Sequence, residues 1–266
     1  MIKINNIEIV VKKFPDGTQN IHIDRNVLNL DQNKRNIVTW NYEGDEEMAT
    51  LLYVTEWLGG FKDILYMPYI PNARMDRVKN DDEVFTLKYF CKFINSLEYE
   101  QVLILDPHSD VSVALLNNAT CILPDYFISK AIDRIEDDDL VIFYPDNGAS
   151  KRYSGMVEKP YCYGIKNRDW RTGNILGLDV ITNGIDLKGK NVLIIDDICS
   201  KGGTFYHSAL KLKECGVNKI YLYVTHCENT IADGELLKNN GLIEKIFTTD
   251  SIYKLSEEKV EVFENV

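Results

Sequence analysis

The sequence predicts an α/β protein of two tandem domains, each a mainly parallel sheet flanked by helices. Two observations carry this. Short apolar runs alternate with stretches of helical period along most of the 266 residues, and strands that alternate with helices build parallel sheets through right-handed crossovers. Several of the runs lead into an acid, at Asp106, Asp146 and Asp196. The carboxyl end of a strand is the edge at which open α/β sheets bind ligands.

The elements follow in order. Residues 7–12 and 19–24 alternate around Phe14-Pro15-Asp16-Gly17, which reads as a hairpin. Residues 36–40 form a strand, 46–58 a helix closed by Gly59-Gly60, 63–67 a strand, 84–96 a helix and 101–105 a strand. The second half repeats the scheme, with helix at 126–134, strand at 140–144, helix from 151, and strands at 161–165 and 191–195. Helix at 204–215, strand at 219–224, helix at 230–239 and strand at 243–248 complete it. The boundary places one domain at residues 1–122 and the other at 123–266.

Composition narrows the partners. Hydrophobic residues at 45% and charged residues at 27% are the values of a folded globular chain rather than a disordered one. A formal charge of -11 repels polyphosphate backbones, so nucleic acid is not an expected partner. No segment has the length and apolarity of a membrane span, so the chain reads as soluble and cytoplasmic, with no membrane partner. The six cysteines show no Cys-x-x-Cys spacing, and neither a zinc site nor a disulfide framework is indicated.

The most informative segment is residues 192–205. Val192-Leu193-Ile194-Ile195 reads as a strand buried on both faces, with Asp196 and Asp197 at its carboxyl end. Ser200-Lys201-Gly202-Gly203-Thr204 then offers small residues, free amides and a cation at the start of a helix. Together they suit a sugar phosphate: carboxylates for hydroxyls, a turn for the phosphate. Adjacent carboxylates repel, and must be held by hydrogen bonds, a metal or a polar ligand.

Other loops carry candidates as well. Arg74, Asp76 and Arg77 lie on a proline-stiffened loop; the guanidinium fork suits phosphate, although an internal Arg-Asp pair is the plain alternative. Asp106-Pro107-His108 offers a metal or phosphate contact. Asp146, before Asn147-Gly148, is either a metal ligand or a helix cap. Residues 164–174 read as a polar loop whose cations Lys166, Arg168 and Arg171 are either a solvated charged face or a cover that closes over a transferring phosphoryl group.

In order along the chain these segments resemble the ribose-phosphate diphosphokinases, also called phosphoribosyl pyrophosphate synthetases. Phe14-Pro15-Asp16-Gly17 is similar to the family's Phe-Ser-Asp-Gly hairpin, and Ala73-Arg74-Met75-Asp76-Arg77 to its Ala-Arg-Gln-Asp-Arg loop. Asp106-Pro107-His108 is similar to Asp-Leu-His, Lys166-Asn167-Arg168 to Lys-x-Arg, and residues 196–204 to the phosphoribosyl-binding loop.

The resemblance implies two phosphoribosyltransferase-like domains and transfer of the β,γ-diphosphoryl group of ATP to ribose 5-phosphate, with Mg²⁺. It implies Lys166 and Arg168 at the transition state, and Arg74, Asp76 and His108 at ATP. Phe14 and Asp16 would take adenine across a subunit interface, hence a homo-oligomer. His108 and Asp146 would stand at the metal, with Asp196, Asp197, Ser200, Lys201, Gly202, Gly203 and Thr204 at the sugar phosphate.

Departures from the pattern define the alternatives. Met75 stands where the family has glutamine, and Ser200-Lys201 where it has Asp-Thr. Exchanging an acid for a cation suggests more, or differently placed, negative charge on the acceptor, as in a larger ester such as ADP-ribose. A phosphoribosyltransferase that consumes the activated sugar, and a non-catalytic regulatory paralogue, are the remaining readings.

Overall fold

The computed structural model describes residues 1–31, 33–168, 175–238 and 241–265. The chain divides into two compact units, Met1–Leu123 and Pro124–Val266.

The first unit opens with β1 (Ile2–Ile4), β2 (Ile7–Glu8), β3 (Val11–Lys13), β4 (Gln19–Ile21) and β5 (Ile37–Trp40). It continues through α1 (Glu47–Leu58), β6 (Ile64–Met67), α2 (Thr86–Ser96), β7 (Gln101–Leu105), α3 (Asp110–Leu115) and β8 (Ala119–Ile122). Its main sheet has the order β2-β1-β5-β6-β7-β8. β5 to β8 are parallel, and β1 joins antiparallel to β5 with Ile2 opposite Trp40.

The expected hairpin is therefore divided. β2 pairs with β1, and only β3 and β4 form the ribbon that carries Phe14-Pro15-Asp16-Gly17. Helix α2 shows why its segment folds as it does: Leu87, Phe90, Cys91 and Ile94, at helical spacing, are all buried. Each such side chain contributes about 1.5–3 kcal/mol.

The second unit contains α4 (Asp125–Ile135), β9 (Val141–Tyr144), α5 (Asn147–Tyr153), β10 (Tyr161–Arg168) and β11 (Ile175–Ile181). β12 (Val192–Cys199), α6 (Gly203–Glu214), β13 (Ile220–Cys227), α7 (Glu235–Lys238), β14 (Lys245–Thr249) and β15 (Val260–Phe263) complete it. The sheet order is β11-β10-β9-β12-β13-β14-β15, parallel except for the β10–β11 pair. The central strands are buried on both faces, as their unbroken apolar runs require.

Several boundaries differ from the sequence reading. β12 runs on through the two aspartates, because Asp196, Ile198 and Cys199 keep their register with Val224, His226 and Cys227. Helix α5 begins at Asn147, not at Lys151. The helix expected at 230–239 is a 3₁₀ turn, Asn229–Asp233, followed by the single turn of α7.

Among the described residues no helix is long and apolar enough to cross a membrane. All six cysteines are free thiols. Burial pushes the Cys91 and Cys162 thiols up to about 12, and Cys199 is raised by its hydrogen bond with Cys227 and by burial. Thiolates are the reactive form. Iodoacetamide at pH 8 is therefore expected to label Cys121 and Cys215 first, with the buried four protected until the chain unfolds. Mass spectrometry of timed digests checks this, and equal early labelling of Cys162 would contradict it.

Candidate active site

In the first unit, the loops after β6 and β7 meet at the carboxyl ends of adjacent parallel strands. Ile70 and Ala73 are buried and pin the first loop, while Arg74 between them and Asp76 stays exposed. Asp76 is buried, and Arg77 grips both of its oxygens, Nε to Oδ1 at 2.8 Å and Nη2 to Oδ2 at 3.2 Å. The Arg77 hydrogen bond holds the Asp76 carboxyl below the usual carboxylate range, with Ser109 and His108 adding to the effect. Ser109 approaches that carboxylate, yet its buried hydroxyl lacks a well-formed hydrogen bond.

The structure thus brings Asp76 to His108 and Ser109. The internal Arg-Asp pair is Asp76 with Arg77, and His108 is exposed beside it. Asp106, just before, is buried and has φ +42. A left-handed non-glycine residue at a strand end stores backbone strain of the kind concentrated at functional sites.

Phe14 and Asp16 sit on the β3–β4 ribbon. Asp16 Oδ1 accepts from the Thr18 amide at 2.9 Å and the Thr18 hydroxyl at 2.7 Å, so this carboxylate shapes the turn. Phe14 is half exposed. Lys13 and Gln19 tie the ribbon to the start of α1 through Glu46 and Thr50.

In the second unit, Asp146 ends the segment after β9, and its Oδ1 accepts from the amides of Gly148 at 3.0 Å and Ala149 at 3.1 Å. It caps α5, the plainer of its two sequence readings. Among the described residues no group of three or more His, Cys, Asp and Glu side chains is placed to hold a metal ion.

Asp196 and Asp197 are held as their mutual repulsion demands. Asp196 Oδ1 accepts from the Asp197 amide at 3.0 Å, and Asp197 Oδ1 from the Ile198 amide at 2.7 Å. Arg152 of α5 brings Nη1 to 3.9 Å from Asp197 Oδ2. Asp197 is buried while Asp196 is half buried.

The turn after β12 leads into α6. Gly202, at φ +76, begins that helix without a capping side chain. The first helical hydrogen bond runs from Tyr206 to Gly202, so the amides of Gly203, Thr204 and Phe205 have no partner within the helix. The contrast with α5 is direct: one helix start is closed by its own aspartate, the other stands open to an anion. Lys201 beside it is exposed.

Lys166 and Arg168 were expected in a loop. The backbone places them instead at the far end of β10, paired with β11, with a bulge between Asn167 and Arg168. A charged, glycine-containing stretch is tolerated there because past Tyr163 β10 is paired with the edge strand β11 alone among the described residues. Their side chains, and Arg171 with the rest of residues 169–174, lie outside the described residues.

The sequence reading missed what supports the 200–204 turn. Ser200 Oγ donates to Glu228 Oε2 at 2.7 Å. A Cβ on Gly234 would lie 1.9 Å from the Lys201 carbonyl oxygen, and one on Gly202 would lie 2.3 Å from Leu236 Cδ1. The available signals were weak: an acid directly after an apolar strand, and a glycine after Asp233.

No protein-family model matches the chain. The ribose-phosphate pyrophosphokinase of Thermococcus kodakarensis is 28% identical over 253 residues, covering 92% of this chain and 86% of that protein. The enzyme of the same name from Pyrococcus furiosus is 29% identical over 260 residues, covering 94% and 87%. Among solved structures, the phosphoribosylpyrophosphate synthetase of Mycobacterium smegmatis superposes with a TM-score of 0.76 at 18% identity, covering 97% of this chain and 86% of that one, and so shares the fold. By sequence over more than nine-tenths of its length this chain is similar to the ribose-phosphate pyrophosphokinases, and it shares the fold of a solved phosphoribosylpyrophosphate synthetase.

Proposed function

We propose that this chain transfers the β,γ-diphosphoryl group of ATP to the anomeric hydroxyl of ribose 5-phosphate, yielding phosphoribosyl pyrophosphate and AMP. One observation carries the reading: the uncapped start of α6 stands next to two carboxylates already fixed by main-chain amides. Asp196 and Asp197 accept the ribose hydroxyls, and the amides at Gly203 and Thr204, with Lys201, take the 5-phosphate. Ser200 and Gly202 shape that turn.

On the nucleotide side, Arg74, Asp76 and His108 meet the phosphates, and Phe14 with Asp16 receives adenine from a neighbouring subunit in a homo-oligomer. In the reaction the anomeric hydroxyl releases its proton to solvent as its oxygen bonds to the β-phosphorus, the bond from that phosphorus to the α,β-bridging oxygen breaks, and AMP departs with that oxygen. Lys166 and Arg168 neutralise the charge on the transferring group, where most phosphoryl-transfer catalysis originates.

A Mg²⁺ is proposed to enter with the nucleotide phosphates, since this ion is usually held by one or two carboxylates together with substrate phosphates. His108 in the first unit and Asp146 in the second are the residues proposed to contact metal, whose chemistry would be charge neutralisation. A cytoplasmic setting belongs to the same proposal. The larger-ester alternative gains no observation in its favour, since the relatives carry ribose-phosphate in their names.

The test is AMP release with Mg-ATP and either ribose 5-phosphate or ADP-ribose. Rapid AMP formation with ribose 5-phosphate alone is expected. AMP formation only with ADP-ribose would overturn the acceptor, and silence with both would overturn the activity. A phosphoribosyltransferase would instead release pyrophosphate from the activated sugar without ATP.

A further inference from the structure

The turn that receives the acceptor's phosphate is braced from behind by the chain that follows β13. Ser200 Oγ donates to Glu228 Oε2 at 2.7 Å, and Thr230 Oγ1 donates to the same oxygen at 3.2 Å. The Glu228 amide donates to the Cys199 carbonyl at 2.8 Å, so the main chains are joined as well as the side chains. Further along, Gly234 brings its backbone against the Lys201 carbonyl, and buried Leu236 occupies the space beside Gly202.

A serine hydroxyl has one proton to give. Committed to Glu228, it is not available to a phosphate, which leaves the main-chain amides, the Thr204 hydroxyl and Lys201 as the turn's donors. An acid this close to a phosphate site gains nothing from meeting the ligand itself. Its benefit lies in holding the turn in one conformation before the ligand arrives, which removes an ordering cost from binding.

We infer that Glu228 is a positioning residue for the acceptor: acting through Ser200, it fixes the 200–204 turn so that its amides are arranged for the 5-phosphate. The inference rests on the reading of α6 as the sugar-phosphate site. It concerns a residue on the far side of the turn, outside the set expected to touch ligand.

The experiment compares wild type, Glu228→Ala, Glu228→Gln, Ser200→Ala and the double alanine variant. The readouts are KM for ribose 5-phosphate, KM for ATP and kcat, with calorimetric Kd for ribose 5-phosphate alongside. Glu228→Ala is expected to raise the ribose 5-phosphate KM and Kd about tenfold, the effect of one charge-assisted hydrogen bond, with ATP KM and kcat within about twofold. Glu228→Gln keeps an acceptor for Ser200 and is expected to recover most of the loss. The double alanine variant is expected to be no worse than either single, because both sever one contact.

An unchanged ribose 5-phosphate KM in Glu228→Ala overturns the inference. So does an equal rise in both KM values, which signals general unfolding, or strictly additive losses in the double variant. Wild type that binds ribose 5-phosphate without turning it over, with weakened binding in Glu228→Ala, overturns the diphosphokinase reading and supports the positioning role of Glu228. Wild type that neither binds nor turns over ribose 5-phosphate overturns both.

Discussion

Replacing Lys166 and Arg168 together with alanine is expected to lower kcat by about 10³ or more while leaving the Kd for ATP within severalfold. The expectation combines charge with backbone position. β10 pairs with β9 only through residues 161–163 and continues to Arg168 paired with β11. Its last residues therefore run past the end of β9, on the same side of the sheet as Asp146, Asp196 and the start of α6. Two cations on such an extension suit a group whose charge spreads over several oxygens as it transfers. Rapid-quench measurement of AMP formation, beside equilibrium ATP binding, checks this, and an unchanged kcat would remove both residues from the mechanism.

Gly234→Ala is expected to be the most damaging single-methyl change in the second unit. Gly234 has φ -89, which any residue adopts, so glycine is required here by contact and not by conformation. The added Cβ would meet the Lys201 carbonyl oxygen at 1.9 Å and its carbonyl carbon at 2.8 Å. These are backbone atoms with no rotamer to escape into, so the turn itself must move. Overpacking of this kind costs about 1–3 kcal/mol, and the displaced amides are expected to raise the ribose 5-phosphate KM more than tenfold, about 1.4 kcal/mol of lost binding. Thermal melts with steady-state kinetics measure both. Wild-type values in both would show that Gly234 does not press on the turn.

Much of this architecture is legible in the sequence, because buried parallel strands are written as unbroken apolar runs. The runs at 101–105 and 140–144 announce β7 and β9 with little error. Errors fall where side-chain pattern and backbone pairing part company. Asp196 and Asp197 interrupt the apolar run, yet β12 continues because the β13 backbone still offers it partners. Residues 166–168 carry the composition of a loop, and pairing with β11 makes them the continuation of the strand. β15 was invisible because its alternating Val260-Glu261-Val262-Phe263 pattern is short and lies at a sheet edge.

The candidate residues were legible in type more than in relation. Sequence pointed to Asp146 and Asp197, but not to Arg152 reaching Asp197 from the helix that Asp146 caps. It offered no reason to connect Ser200 with Glu228, twenty-eight positions away. Contacts made across a parallel crossover have no local pattern to betray them, since the intervening helix decouples the two strands in sequence.

The proposed activity is defined by which bond of ATP breaks and by where the diphosphoryl group goes. ³¹P NMR of a reaction containing this protein, Mg-ATP and ribose 5-phosphate tests it most directly. Equimolar AMP and a sugar carrying two coupled phosphorus resonances at its anomeric carbon, with the 5-phosphate intact, is the expected result. Formation of ADP with a single new phosphate on the sugar, or ATP left intact, would contradict it.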